Sequence, residues 1–540
     1  MIFSTLLLGF IPTVFFQELE ETELEAAQRK VAELEAEFGP EHLDLVEHLD
    51  AVMMIHYGQA QYAKAVDVCR RIVSIRESTY GPEHLDVAIS LNNLGVFLRL
   101  QGFYAEALPL HERSLAIKEK TLGPEHPSVA NSLNSLAIFL QTQGSYAEAR
   151  PLFERSLAIK EKTLGPEHPD VALALGNLAS LLLRQGSYAE ARPLYERALA
   201  IREKSLGPEH SDVALALGNL ASLLRRQGSY AEARPLYERA LAIREKSLGP
   251  EHPNMALALN NLAVLFYNQG SYAEARPLYE RALAIQEKVL GPEHLDVAYS
   301  LGNLGNLLVE QGSYAAARPL YERSLTIYEN ALGPEHSDVA LALGYLASLL
   351  RRQGSYAEAR PLYERALAIS EKSLGPEHPG LALALNNLAV LFYNQGSYAE
   401  ARPLYERSLA IREKSLGPDH PIVAYSLGNL ALLLEALGSH TEARPLYERS
   451  LAISEKALGR GHPDVARDLT NLALFFYDMG SYTNARPYYE QGLGANLRHL
   501  SQNMPSMTEV ERFQYLATKT GPEPLLLNLV AMRGEGPKED

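Results

Sequence analysis

The sequence predicts an all-α solenoid, a right-handed superhelix of about eleven helical hairpins. A G-P-E-H motif recurs at a constant spacing with little variation, and no insertion separates its copies. Its glycines are Gly39, Gly81, Gly123, Gly165, Gly207, Gly249, Gly291, Gly333, Gly375, Gly417 and, where the motif is degraded to G-R-G-H, Gly459. Between the motifs, two stretches of helical apolar periodicity are separated by a Q-G-S-Y turn. One unit copied in tandem, each copy packing on its neighbours, is typical of a solenoid.

The first helix of a unit is predicted from residues 168–186, taken as representative. Its apolar residues have the i, i+3, i+4, i+7 spacing of a helix face and are Leu175, Leu178, Ala179 and Leu182. Pro169 suits the first helical position, which places His168 at the N-cap. Gly186 ends the helix. Equivalent helices are expected in every unit, the first of them beginning near residue 43.

The second helix of the unit is predicted to begin at Ser187. Ser187 and Glu190 have the spacing of a capping box, in which the serine hydroxyl and the glutamate satisfy free backbone N–H groups. Pro193 lies in the second turn, where it removes one backbone hydrogen bond and is expected to bend the helix. Gly207, followed by a proline, ends it.

The repeat divides the chain into four segments. They are an apolar leader (1–16), a degenerate half-unit (17–38), the repeat array (39–495), and a C-terminal helix with a polar tail (496–540). The leader contains Pro12, and it has neither an early basic residue nor a small-residue cleavage site. It is therefore open whether it is a weak signal or membrane anchor, an apolar leader, or the product of a misplaced start codon.

The composition limits the partners and the compartment. The 540 residues include 50 Lys and Arg and 66 Asp and Glu, a net charge of −16. This charge argues against nucleic acid and favours basic peptides or basic protein surfaces. A single cysteine, Cys69, excludes an internal disulfide framework and CxxC sites. It indicates a reducing compartment, the cytoplasm, with export or tethering through the leader as the alternative.

The unit resembles the tetratricopeptide repeat. The matching segments are N-L-A (177–179), Q-G-S-Y (185–188) and E-A (190–191). The longer form of the repeat found here is similar to the repeat domain of kinesin light chains, as seen in L-G-P-E-H-P (164–169), R-A-L-A-I-R-E-K (239–246) and L-N-N-L-A (385–389). The resemblance implies a scaffold that binds an extended peptide or a partner helix in a concave groove. A motor-adaptor role is not predicted, because residues 17–38 align better as a half-unit than as a coiled coil.

An alternative function comes from the C-terminal region. Residues 508–518, T-E-V-E-R-F-Q-Y-L-A-T, are similar to the segment that joins such arrays to a caspase-like CHAT peptidase in bacterial proteins. This similarity implies a sensor or regulatory arm of a larger effector, here without its peptidase domain.

The concave groove is expected to present a register of asparagines from the first helices. They are Asn93, Asn177, Asn219, Asn261, Asn303, Asn387, Asn429 and Asn471, and Ser135 and Tyr345 interrupt the register. The resemblance implies that these amides hydrogen-bond the backbone of a bound peptide. The alternative is that they cap or bridge neighbouring helices.

Two basic spots and two aromatic spots are expected in the same groove. The basic spots are Arg225 with Arg226 and Arg351 with Arg352; the aromatic spots are Tyr267 and Tyr393. The basic spots suit acidic residues of a ligand, and the tyrosines suit apolar anchors. Solvated helix ends are the alternative interpretation.

No cofactor, metal site or catalytic activity is expected. The histidines of the G-P-E-H motifs lie one unit apart, too far to share a zinc ion, so capping and packing between repeats is their predicted role. No phosphate-binding loop, H-E-x-x-H or G-x-S-x-G motif is present.

Overall fold

A computed structural model describes residues 19–503, which form 23 α-helices and no strand. The half-unit is α1 (Leu19–Phe38). The first helices of the eleven hairpins are α2 (Leu45–Gly58), α4 (Leu85–Leu100), α6 (Pro127–Thr142), α8 (Pro169–Arg184), α10 (Ser211–Arg226), α12 (Pro253–Gln269), α14 (Leu295–Glu310), α16 (Ser337–Arg352), α18 (Pro379–Asn394), α20 (Pro421–Ala436) and α22 (Pro463–Asp478). The second helices are α3 (Tyr62–Tyr80), α5 (Tyr104–Leu122), α7 (Tyr146–Leu164), α9 (Tyr188–Leu206), α11 (Tyr230–Leu248), α13 (Tyr272–Leu290), α15 (Tyr314–Leu332), α17 (Tyr356–Leu374), α19 (Tyr398–Leu416), α21 (His440–Leu458) and α23 (Tyr482–Asn503). The predicted α-solenoid is confirmed.

The motif histidines cap the first helices, as predicted. In α8, the Nδ1 atom of His168 accepts a hydrogen bond from the backbone N–H of Asp170 at 3.1 Å. The same bond forms in every first helix from α4 to α22. Each histidine thus satisfies one of the N–H groups that a helix start leaves free.

The predicted capping box at the second helices is wrong. Ser187 occupies the N-cap of α9, but its hydroxyl makes no capping hydrogen bond. Its ψ of 58° departs from the extended conformation in which an N-cap side chain reaches the first turn. This backbone is set by the preceding turn, where Gly186 has a φ of +71° and the N–H of Ser187 donates to the carbonyl of Leu182 at 2.9 Å.

One apolar core runs through most of the array. Within each hairpin, small residues such as Ala179 and Ala191 are fully buried, and Tyr195 and Leu178 pack beside them. The corresponding residues of the neighbouring units extend the same cluster from Ala137 to Ala485. Each hairpin therefore buries its apolar faces against its neighbours, which explains why the unit does not need a core of its own.

Successive turns of the superhelix contact each other. The Nε2 atom of His378, at the start of α18, lies 2.8 Å from the carbonyl of Thr142, at the end of α6. These residues are 236 positions apart, and His420 meets the carbonyl of Arg184 with the same separation. Since α6 and α18 are six hairpins apart, one superhelical turn takes about six units. Its pitch is close to the length of a 16-residue helix, about 24 Å.

This contact closes the wall of the superhelix between successive turns. We call the edge of the array that carries the Q-G-S-Y turns the turn edge. The opposite edge, with the G-P-E-H motifs and the helix starts that follow them, is the link edge. Inside the chain, the turn edge of α4 to α11 packs on the link edge of α16 to α23.

Several predicted features lie at or beyond the limits of the described residues. The last helix continues to Asn503, eight positions past the predicted end of the array at 495. The leader (1–16) and the CHAT-like segment (508–518) lie outside the described residues. In the part of the chain that is described, no helix is long and apolar enough to cross a membrane.

Candidate peptide-binding lumen

The concave side of the array encloses a cavity of about 800 Å³. One wall consists of residues of α14 to α18, together with Tyr267 of α12. The other wall is formed by the C-terminal ends of α4, α6 and α8, which belong to the preceding turn. The contact between turns therefore converts the expected groove into a lumen, and the cavity has the size of a ligand site.

A row of exposed apolar side chains runs along this inner face, one per unit. The row contains Tyr299, Leu341, Leu383 and Tyr425, which occupy equivalent positions of successive units and are each between 40% and 50% exposed. Leu341 and Leu383 line the cavity. Single exposed apolar residues are common, but a row of them in a concavity is typical of a binding surface. None of these four residues was among those predicted for the groove. In the sequence, the row is visible as an apolar or aromatic residue four positions before the asparagine register position of each of these units.

The asparagines of the register differ in what their side chains contact. The Nδ2 group of Asn177 donates to Oδ1 of Asn134 at 2.8 Å, and Asn429 makes the same bond to Asn386 at 2.9 Å. These two asparagines bridge neighbouring first helices, as the alternative interpretation held. Asn387 instead lines the cavity, so its amide can reach a ligand.

One equivalent pair lacks its bridge. Asn260 and Asn303 are related in the same way as Asn134 and Asn177, but the buried Oδ1 of Asn260 and Nδ2 of Asn303 make no hydrogen bond within the described residues. The amide of Asn260 donates to Ser300 instead, at 2.8 Å. Ser300 in turn donates to Gln286 at 2.6 Å, which holds Asn260 in this alternative network. One hydrogen-bond donor, on Asn303, and one acceptor, on Asn260, thus remain without a partner between α12 and α14 within the described residues.

The two basic spots differ from each other. Arg352 lines the cavity, but it forms an ion pair with Glu310 at 2.8 Å, so its charge is largely compensated. At the other spot, burial lowers the pKa of Arg226, and the neighbouring guanidiniums of Arg225 and Arg184 lower it further. The two basic spots therefore differ, because Arg352 is paired with Glu310 whereas Arg226 lies near two other guanidinium groups.

The aromatic spots are only partly at the cavity. Tyr267 lines it, whereas Tyr393 packs on Tyr398 with ring centroids 5.5 Å apart, outside the cavity lining. Tyr345, which interrupts the asparagine register, stacks on Tyr321 at 5.9 Å and lines the cavity as well. Of the fourteen residues predicted for the groove, the cavity lining contains Tyr267, Arg352 and Asn387.

His420 shows how a motif histidine at the contact between turns uses both ring nitrogens in the fold. The Nδ1 atom of His420 accepts from the N–H of Ile422, and its Nε2 atom donates to the carbonyl of Arg184. Burial lowers the pKa of His420 to about 4, so the ring is neutral at pH 7. Neither nitrogen is left for a metal. No group of three or more candidate metal ligands occurs in the described part of the chain.

The family follows from comparison with known proteins. A family model described as tetratricopeptide repeat matches residues 87–162, 129–204, 212–288, 254–330, 338–414, 381–456 and 423–496, and a second model of the same description matches 54–86. The chain belongs to the tetratricopeptide repeat family. Proteins of this family bind protein partners and are generally not catalytic.

Solved structures similar to this tetratricopeptide repeat protein cover part of it. A candidate kinesin light chain from Podosopora anserina, with nearly identical TPR-like repeats, is 35% identical over 38% of this chain and 98% of that one, with a TM-score of 0.34. Its Q17M variant is 30% identical over 38% and 97%, also with a TM-score of 0.34. BtubC (BKLC) from P. vanneervenii is 22% identical over 42% and 88%, with a TM-score of 0.34. No curated protein matches the chain.

Proposed function

We propose that this protein is a non-catalytic interaction scaffold that holds an extended peptide or a single partner helix inside its lumen. The observation that carries the proposal is the apolar row from Tyr299 to Tyr425, which follows the inner face where the cavity lies. Exposing such a row in a concavity costs free energy unless a ligand covers it.

The spacing of the row fits an extended backbone. Neighbouring first helices lie side by side, as the bond from Asn177 to Asn134 requires, and packed helices are roughly 10 Å apart. An extended chain advances about 3.3 Å per residue. Every third residue of a bound peptide would therefore meet one apolar side chain of the row, while Asn387 could bond its backbone.

The repetition of the units and the charge of the chain indicate what kind of ligand the lumen would bind. Because successive units repeat the same side chains at equivalent positions, they suit a repetitive sequence that contacts several units at once. The net charge of −16 favours a ligand that is basic outside the segment held in the lumen.

The test uses a random peptide library displayed on phage, selected on the full chain. We expect enriched peptides with apolar residues at every third position. Their capture should fall at least tenfold in the variant Leu341→Ala/Leu383→Ala. The control is Leu206→Ala, since Leu206 is similarly exposed but lies at the end of α9, outside the cavity lining.

The results of this capture assay distinguish binding in the lumen from binding on another surface. Equal capture by the wild type and the Leu341→Ala/Leu383→Ala variant would remove the lumen from the proposal. Loss of capture in the Leu206→Ala control would place binding on the link edge instead.

A further inference from the structure

The contact between turns inside the chain is a complementary interface with two distinct sides. On the turn edge, Gly144 and Gly228 lie so close to the next turn that an added Cβ would overlap Pro379 or the ring of His462. Tyr146 and Tyr230 are buried beside these glycines. On the link edge, the capping histidines bond the helix-end carbonyls of the other turn. The interface thus joins unlike surfaces, turn edge to link edge.

Both surfaces recur at the two ends of the superhelix, where no other part of residues 19–503 covers them. The turn-edge glycines of the last units, Gly354, Gly396, Gly438 and Gly480, are exposed, and none of the described residues has an atom within 4 Å of an added Cβ. On the link edge of the first units, the side chain of His84 is 43% exposed, against 8% for His336 in the covered part. The sequences are nearly the same: Q-G-S-Y at 353–356 repeats 185–188. Each end of the tube therefore offers one half of an interface that the chain already forms.

Both uncovered ends also carry exposed apolar side chains. On the turn edge, Leu437 and Met479 replace the glutamine of the earlier units and are 43% and 50% exposed. On the link edge, Phe38 and Tyr80 are 45% and 41% exposed, each stacked on a motif histidine. Apolar residues at the uncovered ends, where water would otherwise favour polar ones, are typical of a surface that binds a protein.

We infer that the turn edge of the last units binds the link edge of the first units of a second copy of this chain. The contact is the one between turns continued from one molecule to the next. Because unlike surfaces meet, each added copy leaves the same two ends uncovered. Association therefore proceeds head to tail into coaxial stacks, with no closed dimer, and the lumens of successive copies align.

The test is sedimentation velocity of the full chain from roughly 1 μM to 1 mM, a range that covers weak protein contacts. We expect the average mass to rise with concentration past that of a dimer. Two variants each block one end: Leu437→Lys/Met479→Lys on the turn edge and Phe38→Lys/Tyr80→Lys on the link edge. All four positions are exposed and lie at helix C-terminal ends, where a cation is favourable, so the helices are expected to remain folded.

Each variant alone is expected to stay monomeric, because its remaining open end meets only blocked partners. An equimolar mixture of the two variants should form dimers and nothing larger. A wild type that is monomeric over the whole range would overturn the inference. So would a blocked variant that still dimerises by itself, since this requires like surfaces to meet.

The inference is independent of ligand binding. The lumen variant Leu341→Ala/Leu383→Ala should self-associate as the wild type does, and the end-blocked variants should capture selected peptides as the wild type does. Circular dichroism of each variant checks that helicity is retained, so that loss of association can be assigned to the blocked end.

Discussion

His420 and Arg184 are joined across 236 residues of chain by one hydrogen bond, from Nε2 of the imidazole to the backbone carbonyl, at 3.0 Å. The other ring nitrogen caps α20. One side chain therefore stabilises the start of a helix and ties it to the end of a helix in the preceding turn. Both roles need the neutral ring, because Nδ1 must accept while Nε2 donates.

Acid should destabilise the array between about pH 6.5 and pH 4. Burial lowers the pKa of His420 from 6.5 to about 4, and it also lowers the pKa of His336, His378 and His462. The unfolded chain takes up protons as pH falls below 6.5, whereas the folded chain resists until about pH 4. The stabilisation is therefore complete above pH 6.5 and is lost as pH falls towards 4.

For His420 alone, this shift corresponds to roughly 3 kcal/mol. Thermal unfolding followed by circular dichroism at several pH values measures the effect. The variant His420→Asn, which keeps a capping side chain that does not titrate, should show a shallower loss. Stability that is flat from pH 6.5 to pH 4 in the wild type would contradict the prediction.

Alanine at Gly144 should open the wall, whereas alanine at Gly354 should not. Both glycines have a positive φ, 76° and 78°, so both substitutions cost about 1 kcal/mol of backbone strain. At Gly144 the new Cβ would also overlap Pro379 of the next turn, which adds about 1–3 kcal/mol if the wall stays closed. At Gly354 the new Cβ meets no atom of the described part of the chain within 4 Å.

Urea unfolding and small-angle scattering distinguish these cases. Gly144→Ala should be the less stable variant, or it should show a larger radius of gyration because the turns have separated. Equal stability and equal dimensions for the two variants would show that the turns do not touch in solution.

Asn177 and Asn387 should respond differently to alanine although they occupy the same position of the repeat. Asn177→Ala removes the bond to Asn134, which should cost about 1 kcal/mol of unfolding free energy with little effect on peptide capture. Asn387→Ala should leave stability nearly unchanged and weaken capture, since this amide lines the cavity. Chemical denaturation and the peptide-capture assay provide the two measurements. If Asn177→Ala weakens capture as much as Asn387→Ala, the asparagines act as one set.

The hairpins were predictable because their signals are local. Pro169 fixes the start of α8 and places His168 at its cap, and Gly186 supplies the left-handed turn that ends it. The capping box failed because the same turn fixes the backbone of Ser187, and the S-x-x-E spacing carries no information about that angle.

The enclosure of the lumen was not predictable in this way. It depends on the rotation between neighbouring units, which brings the two edges of the array together only after six units have been added. The local sequence around Gly144 or His378 does not indicate a partner six units away. The apolar row was visible in the sequence, but its exposure depends on which face of α16 and α18 the superhelix turns inward.

The six-unit offset between His378 and Thr142 gives repeat number a threshold effect. An array of six hairpins or fewer has no unit in position to meet its first one, so its inner face stays accessible from the side. Each further duplication of one unit adds one more contact between successive turns and lengthens the enclosed part of the lumen. Unequal recombination between near-identical repeats could therefore convert a shallow groove, from which a ligand dissociates sideways, into a closed channel. A long ligand can leave such a channel only through its ends.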